Sequence, residues 1–265
     1  EEGRPWFALE LIHGEPLTAY CDRLTLSISA RIDLFLQVCD AVEYAHRNLV
    51  IHRDLKPGNV LVTETGLVKL MDFGIAKLID PAQSSDTRTQ LNLMTPEYSA
   101  PEQFSGGAIT TQTDVYQLGL MLAELLSGER LRTRSRAQDG HSGVSRRLQA
   151  VFSRRQAIND SEVIALAARR GSSVRALART LRGDLDRIVR RATSDESERR
   201  YASVGAMADD LKRYRQNLPV LASGDSWAYL IGKFLRRHRI AVGAAFAVAL
   251  VLLAGWVFPF QATRS

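Results

Sequence analysis

With 265 residues, 45% of them hydrophobic, the chain can build one large domain or two small ones, and wholesale disorder is excluded. Cys21 and Cys39 stand eighteen positions apart with no second pair, which excludes a disulfide framework and a zinc spacing and predicts two reduced, packed thiols. The net charge of +6 is local: residues 128–180 hold twelve arginines against Glu129, Asp139, Asp160 and Glu162, and without interleaved aromatics this block predicts a solvated face near an anionic membrane, not a nucleic-acid partner.

The opening "EEGRPWFALE" is acidic and lacks the long apolar region of a signal peptide. Residues 6–12, "WFALELI", form an apolar run of strand length, followed by a turn-like "HGEP". In "SARIDLFLQVCDAVEYAHRN", Ile32, Leu36, Cys39, Val42 and Ala45 recur at spacings of three and four, which predicts an amphipathic helix. "NVLVT" and "VKLMD" flank a turn at "ETG" and predict a hairpin. Residues 75–112 are polar and turn-rich. "TDVYQLGLMLAELLSG" is apolar nearly throughout and predicts a deeply buried helix ending at Gly128.

Residues 129–180 are expected to form an arginine-rich insertion with one or two helices. Helices follow at about 182–193 and 203–216, the second capped by Ser203, and "NLPVLASGDS" is expected to be a short linker. From Ile240 to Phe260 the sequence runs twenty-one residues without a charge, the length of helix that crosses about 30 Å of hydrocarbon. A buried core helix would be shorter and carry a polar stripe, so a transmembrane helix is predicted. Lys233, Arg236, Arg237 and Arg239 precede it and only Arg264 follows, so residues 1–239 are expected on the cytoplasmic side and 261–265 outside.

The densest chemistry lies in "VIHRDLKPGNVLV", residues 50–62. Transfer of a phosphoryl group needs a carboxylate to orient the attacking hydroxyl, hard oxygen ligands for Mg²⁺ and a cation near the migrating charge. Asp54 can supply the first, Asn59 and Asp72 the second, and Lys56 the third. Asn59 and Asp72 are thirteen residues apart, which one hairpin spans.

"HRDLKPGN", "DFG" at Asp72–Gly74 and "APE" at Ala100–Glu102 resemble, in order and spacing, the signature of eukaryotic-type (Hanks-type) protein kinases, and the Lys-Pro pair resembles the serine/threonine branch. The resemblance covers about residues 5–218. It implies a mainly α fold, the kinase large lobe with a small β-hairpin at the active site, and use of ATP and Mg²⁺. It further implies that Asp54 is the catalytic base, Lys56 a γ-phosphate contact, and Asn59 and Asp72 the metal ligands. "WFALELIHGEPL" resembles the hinge between lobes, with Leu9 as gatekeeper, the backbone of Glu10 and Ile12 on the adenine, and Leu61 beneath it. His52 and Phe73 become packing residues of an internal spine held from below by Asp114, and Glu102 pairs with Arg200.

Ser84, Ser85, Thr87 and Thr89 are candidate phosphosites of the activation segment, with Arg53 as a cation awaiting the phosphate, and Thr95 falls in the substrate-binding segment near Asp54. His13, His46 and His141 show no ligand spacing and are expected to be structural or solvent-facing. The family's glycine-rich loop, strand lysine and helix glutamate are not found among the 265 residues, so the chain is expected to be a fragment entered at the hinge, with weakened nucleotide alignment. The layout also resembles single-pass kinases of the bacterial inner membrane, and implies protein substrates with Ser/Thr acceptors and room for a homodimer in autophosphorylation. A membrane-tethered binding module without catalysis is the alternative.

Overall fold

The computed structural model describes residues 10–73, 96–129, 160–223, 229, 230, 233 and 248. Its centre is two long helices whose sequences dictate different environments. Helix α2, Ile28–Arg47, follows α1, Leu17–Arg23; Ser27 caps it by accepting the Ala30 N–H, and it buries Ile32, Phe35, Val38, Cys39 and Val42 along one face. The stripe centres on Phe35 and Val38, and the predicted Leu36 is only partly buried beside it.

The short α3, Pro101–Ser105, leads to α4, Thr111–Ser127, which is buried from Thr113 to Ser127 as its apolar composition requires. It ends where predicted, with Gly128 at φ 85° donating its N–H to the Glu124 carbonyl. Gly119 sets the approach of the neighbouring helix, since a Cβ there would stand 2.8 Å from the Ala192 Cβ. Truncating a core side chain of α4 such as Leu118, which is fully buried, is expected to cost about 2–5 kcal/mol.

The predicted hairpin is present as β2, Val60–Val62, and β3, Val68–Leu70, and joins β1, Glu15–Pro16, in an antiparallel sheet of order β1-β2-β3. The position of β1 corrects the sequence reading: residues 10–12 of the apolar run are not strand, and pairing instead falls in "HGEP". Two residues permit it. A Cβ on Gly14 would lie 2.9 Å from the Val62 carbonyl oxygen, so only glycine lets the backbone come this close, and Pro16 sits on an edge strand where its missing N–H costs nothing.

The arginine-rich block holds two helices in its second half, within the one or two expected. Helices α5, Ser161–Ala168, and α6, Val174–Leu181, bury Val163, Ala167, Leu177 and Leu181 in the common core, so residues 160–181 belong to the lobe. The arginines beside them are structural. Arg170, 2% exposed, donates to the Leu126 carbonyl (2.7 Å), and the fully buried Arg31 donates to the carbonyls of Cys21 (3.0 Å) and Arg169 (2.7 Å) and to Asp22 (2.7 Å). Arg31 Nη1 also donates to the Leu125 carbonyl (3.4 Å), so two guanidiniums meet the last carbonyls of α4, where backbone acceptors and the helix dipole favour cations. Burial, then the neighbouring Arg31 charge, brings the Arg170 pKa down to about 10.

Helices α7, Asp184–Ala192, and α8, Val204–Arg215, lie where predicted, and Ser203 accepts the Ala206 N–H as a cap. The expected linker after α8 is not free at its start. Asp210, fully buried, accepts the N–H groups of Leu221 (2.6 Å) and Ala222 (2.9 Å) and the Tyr201 hydroxyl (2.9 Å), and Val220 is 3% exposed. Both cysteines are buried and unpaired, as expected.

Among the described residues no helix is long and apolar enough to cross a membrane. The predicted span 240–260 lies outside the described residues apart from Val248, as do Leu9, Thr95, the four candidate phosphosites and residues 130–159.

Candidate active site

The loop 52–59 owes its shape to α4. Asp114, fully buried, accepts the backbone N–H groups of His52 and Arg53, both at 2.9 Å, and the His46 Nε2–H at 2.7 Å. One turn along the same face, Gln117 accepts the Leu55 N–H (2.8 Å) and donates to the Arg53 carbonyl (3.1 Å), which also accepts from Gln103 (2.9 Å). Gln103 in turn accepts from the Ala100 N–H (2.8 Å) and from Gln117 (2.9 Å). Five backbone groups of loop and neighbour are thus satisfied by three side chains, and Arg53 is held at φ 70°, a left-handed conformation that needs such support.

Within this frame Asp54 Oδ2 accepts from Lys56 Nζ at 2.9 Å and from Asn59 Nδ2 at 3.4 Å, while Asn59 Nδ2 also donates to the Asp54 carbonyl at 2.9 Å. A single 3-10 turn, Pro57–Asn59, with proline at its first position, brings lysine, asparagine and carboxylate together. The hairpin then returns the chain: the Met71 N–H donates to the Asn59 carbonyl at 2.9 Å, and the Met71 carbonyl accepts from His52 Nε2 at 2.9 Å. Asp72 is the next residue, exposed and at φ 54°. The loop thus gathers Asp54, Lys56 and Asn59, and the hairpin sets Asp72 one residue beyond the Met71–Asn59 pairing.

His52 is fully buried, its ring centroid 4.9 Å from that of Phe73. Burial holds its pKa below the usual histidine value, against the opposing pull of the Met71 carbonyl. The ring is therefore neutral with the proton on Nε2, leaving Nδ1 to accept from the Asp54 N–H at 3.4 Å. This agrees with a packing role for His52 and Phe73 above Asp114.

On the hairpin, Val60 and Val62 face the core and Leu61, partly buried, points to the opposite face by strand alternation. Lys69, its Cα partner on β3, shares that face and reaches Glu10 Oε1 at 3.1 Å. Glu10, Leu61 and Lys69 therefore lie on one side of the sheet. Ile12, partly buried, is two residues beyond Glu10.

The predicted partner of Glu102 is confirmed. Arg200 binds it through two parallel contacts, Nη1 to Oε1 at 2.7 Å and Nη2 to Oε2 at 2.8 Å, and Thr113 donates to Oε1 at 2.8 Å. Burial would raise the Glu102 pKa, but Arg200 and the hydroxyl outweigh it and hold the carboxyl below the usual range. The Arg200 guanidinium also stacks over Tyr116 at 4.8 Å.

Sequence reasoning missed Gln103 and Gln117, and gave His46 no named partner. The usable signal was present: two polar residues, Asp114 and Gln117, three apart at the start of the long apolar stretch of the helix, since buried polar groups imply partners.

Residues 1–201 match the protein kinase domain family. Over 188 residues, 71% of this chain and 26% of that protein, the chain is 36% identical to the serine/threonine-protein kinase PknB of Mycobacterium tuberculosis. Over 131 residues, 49% of this chain and 30% of that protein, it is 43% identical to PknA of the same organism. Among solved structures it is similar to the kinase domain of Mycobacterium tuberculosis PknI, at 24% identity and a TM-score of 0.49, over 77% of this chain and 63% of that one. The chain thus spans less than a third of the length of the curated relatives it matches. On the family match, and with a loop that gathers Lys56 and Asn59 around Asp54, the chain belongs to the protein kinase domain family.

Proposed function

We propose that this chain forms the large lobe of a membrane-anchored serine/threonine protein kinase, which transfers the γ-phosphoryl group of ATP to serine or threonine hydroxyls of proteins. The observation that carries this reading is the convergence of Asp54, Lys56, Asn59 and the hairpin leading to Asp72. Asp54 receives the proton of the attacking hydroxyl. Both of its side-chain hydrogen bonds fall on Oδ2, so Oδ1 is the oxygen that meets the substrate. Lys56 places its ammonium beside that carboxylate and, in the reaction, beside the oxygens that gather negative charge.

The donor set fits Mg²⁺. Asn59 commits its Nδ2 to the Asp54 carbonyl, which leaves its Oδ1 as a hard oxygen, and Asp72 presents an exposed carboxylate one residue beyond the Met71–Asn59 pair. When bound, the ion neutralises the phosphate oxygens of the nucleotide. Leu61 and the backbone of Glu10 and Ile12 form the floor and hinge contact for the adenine. Orientation and charge placement are the whole task in such a transfer, because the protein forms no covalent bond to the phosphoryl group.

The hydropathy of residues 240–260 and the basic run before them support a single span of the bacterial inner membrane with the lobe in the cytoplasm. Ser84, Ser85, Thr87 and Thr89 are the acceptors proposed for phosphorylation between two copies of the chain, with Arg53 as the receiving cation. A non-catalytic tethered module gives no reason for Asp54, Lys56 and Asn59 to be locked together. The test is phosphoamino-acid analysis of a protein substrate after incubation of the full coding product containing this chain with ATP and Mg²⁺. Phosphoserine or phosphothreonine is expected, and phosphotyrosine alone, or no transfer, contradicts the reading.

A further inference from the structure

Residues of α6, α7 and α8 border an open cavity of about 860 Å³ that Lys233 helps to line and to which residues 52–73 contribute nothing. Its size falls within the range of small-ligand sites. The lining carries Arg179, Arg182, Arg187, Arg215 and Lys233 against one carboxylate, Asp184. A second carboxylate, Asp33, pairs with Arg215 from outside the lining, so among the described residues named here five cations face two carboxylates. A concave basic wall focuses the field and concentrates anions.

The interior is organised. Asp184 is 8% exposed and holds Lys233 Nζ at 2.6 Å, Arg187 Nη1 at 3.1 Å and the Tyr229 hydroxyl at 2.9 Å. Lys233 is itself about nine-tenths buried, and Arg187 stacks over the Tyr229 ring at 5.1 Å. One carboxylate thus pre-positions two cations, one from its own helix and one from the segment after α8, and is neutralised by them.

We propose that this cavity binds a phosphate-bearing anion, with the headgroup of an anionic phospholipid as the source favoured by its place in the chain. The uncharged run begins at residue 240, seven residues after Lys233, so chain contour keeps the cavity within about 25 Å of the hydrocarbon boundary. Arg236, Arg237 and Arg239 fill the interval and draw the segment toward an anionic surface. The lipid source rests on the proposed span, whereas binding of a phosphate group does not.

The full chain is placed in phosphatidylcholine nanodiscs, and amide exchange of residues 174–187 is followed in two arms, with added phosphatidylglycerol or with inorganic phosphate. At ligand about ten times the Kd, exchange is expected to slow about tenfold. Slowing by phosphatidylglycerol alone identifies a lipid headgroup, and slowing by inorganic phosphate identifies a site open to soluble phosphates. Arg179 and Arg182 are exposed, so R179E/R182E is expected to remain folded and lose the effect, while R175E, on the same helix but outside the cavity, keeps it. No slowing in either arm, or equal loss in R175E, overturns the proposal. Failure of the chain to co-purify with the discs would count against the span alone, and the phosphate arm would then be read in solution.

Discussion

Asp114 offers the sharpest test of how the fold makes the site. Its carboxylate serves three buried donors, the N–H groups of His52 and Arg53 and the His46 Nε2–H. In D114A all three lose a charged acceptor, and each unsatisfied buried donor costs about 1–3 kcal/mol. With partial relaxation the total is expected near 4 kcal/mol, comparable to breaking a buried ion pair and a large share of the stability of an ordinary domain. D114N is milder. Its amide oxygen can take the place of Oδ2, which serves His52 and His46, leaving its NH2 group against the Arg53 N–H, at a cost of about 1–3 kcal/mol. Urea unfolding followed by far-ultraviolet circular dichroism gives the energies, and amide exchange gives the location. The His52 and Arg53 amides should be protected in the wild type, and the Arg53 amide should exchange fast in D114N. D114A within 1 kcal/mol of wild type, or an unprotected Arg53 amide in the wild type, would refute the reasoning.

Three further outcomes follow from the same geometry. Because the Glu102 pKa lies below its ordinary value of 4.5, its pairing with Arg200 contributes stability that is fully present above pH 4.5 and is lost as pH falls through the folded-state pKa. The stability gap between wild type and E102Q should therefore be constant at neutral pH and shrink in acid; a gap that widens below pH 4.5 would contradict the assignment. His52 is expected to titrate by NMR below its ordinary 6.5, so the unfolded chain takes up this proton first and stability falls as pH drops below that value; a midpoint above 6.5 would show a charged ring. Cys39 is buried with its pKa pushed up by burial, and the same cause raises Cys21 to about 11, so neither thiol should react with an aromatic disulfide reagent until denaturant is added.

Much of the site was legible because its residues are packed into short sequence motifs. Asp54, Lys56 and Asn59 lie within one short loop, Asp72 is a hairpin away, and Glu102 and Arg200 sit in recognisable segments. The apolar run of α4 likewise announces its own burial. What escaped has no local pattern. Arg31 reaches the Arg169 carbonyl across 138 positions, and arginine-rich composition suggests solvent where the end of α4 in fact recruits two guanidiniums. Strand β1 is two residues long and rests on close approach at Gly14, which hydropathy does not encode. Gln103 and Gln117 act by bonding distant backbone, and Asp210 pins the segment after α8 in the same way. Hydrophobic period reveals which faces are inside, whereas side-chain-to-backbone bonds across long separations appear only when the chain is folded.

In the proposed function Asp54, held by Lys56 and Asn59, receives the hydroxyl proton during phosphoryl transfer. The direct measurement is the single-turnover rate of phosphate transfer from ATP to a serine or threonine protein substrate, for the full coding product and its D54N variant at saturating Mg²⁺. A general base of this kind contributes about 10²–10⁴-fold, so D54N should be slower by at least about 10²-fold with its fold and nucleotide affinity retained. Equal rates for the two proteins would contradict the account.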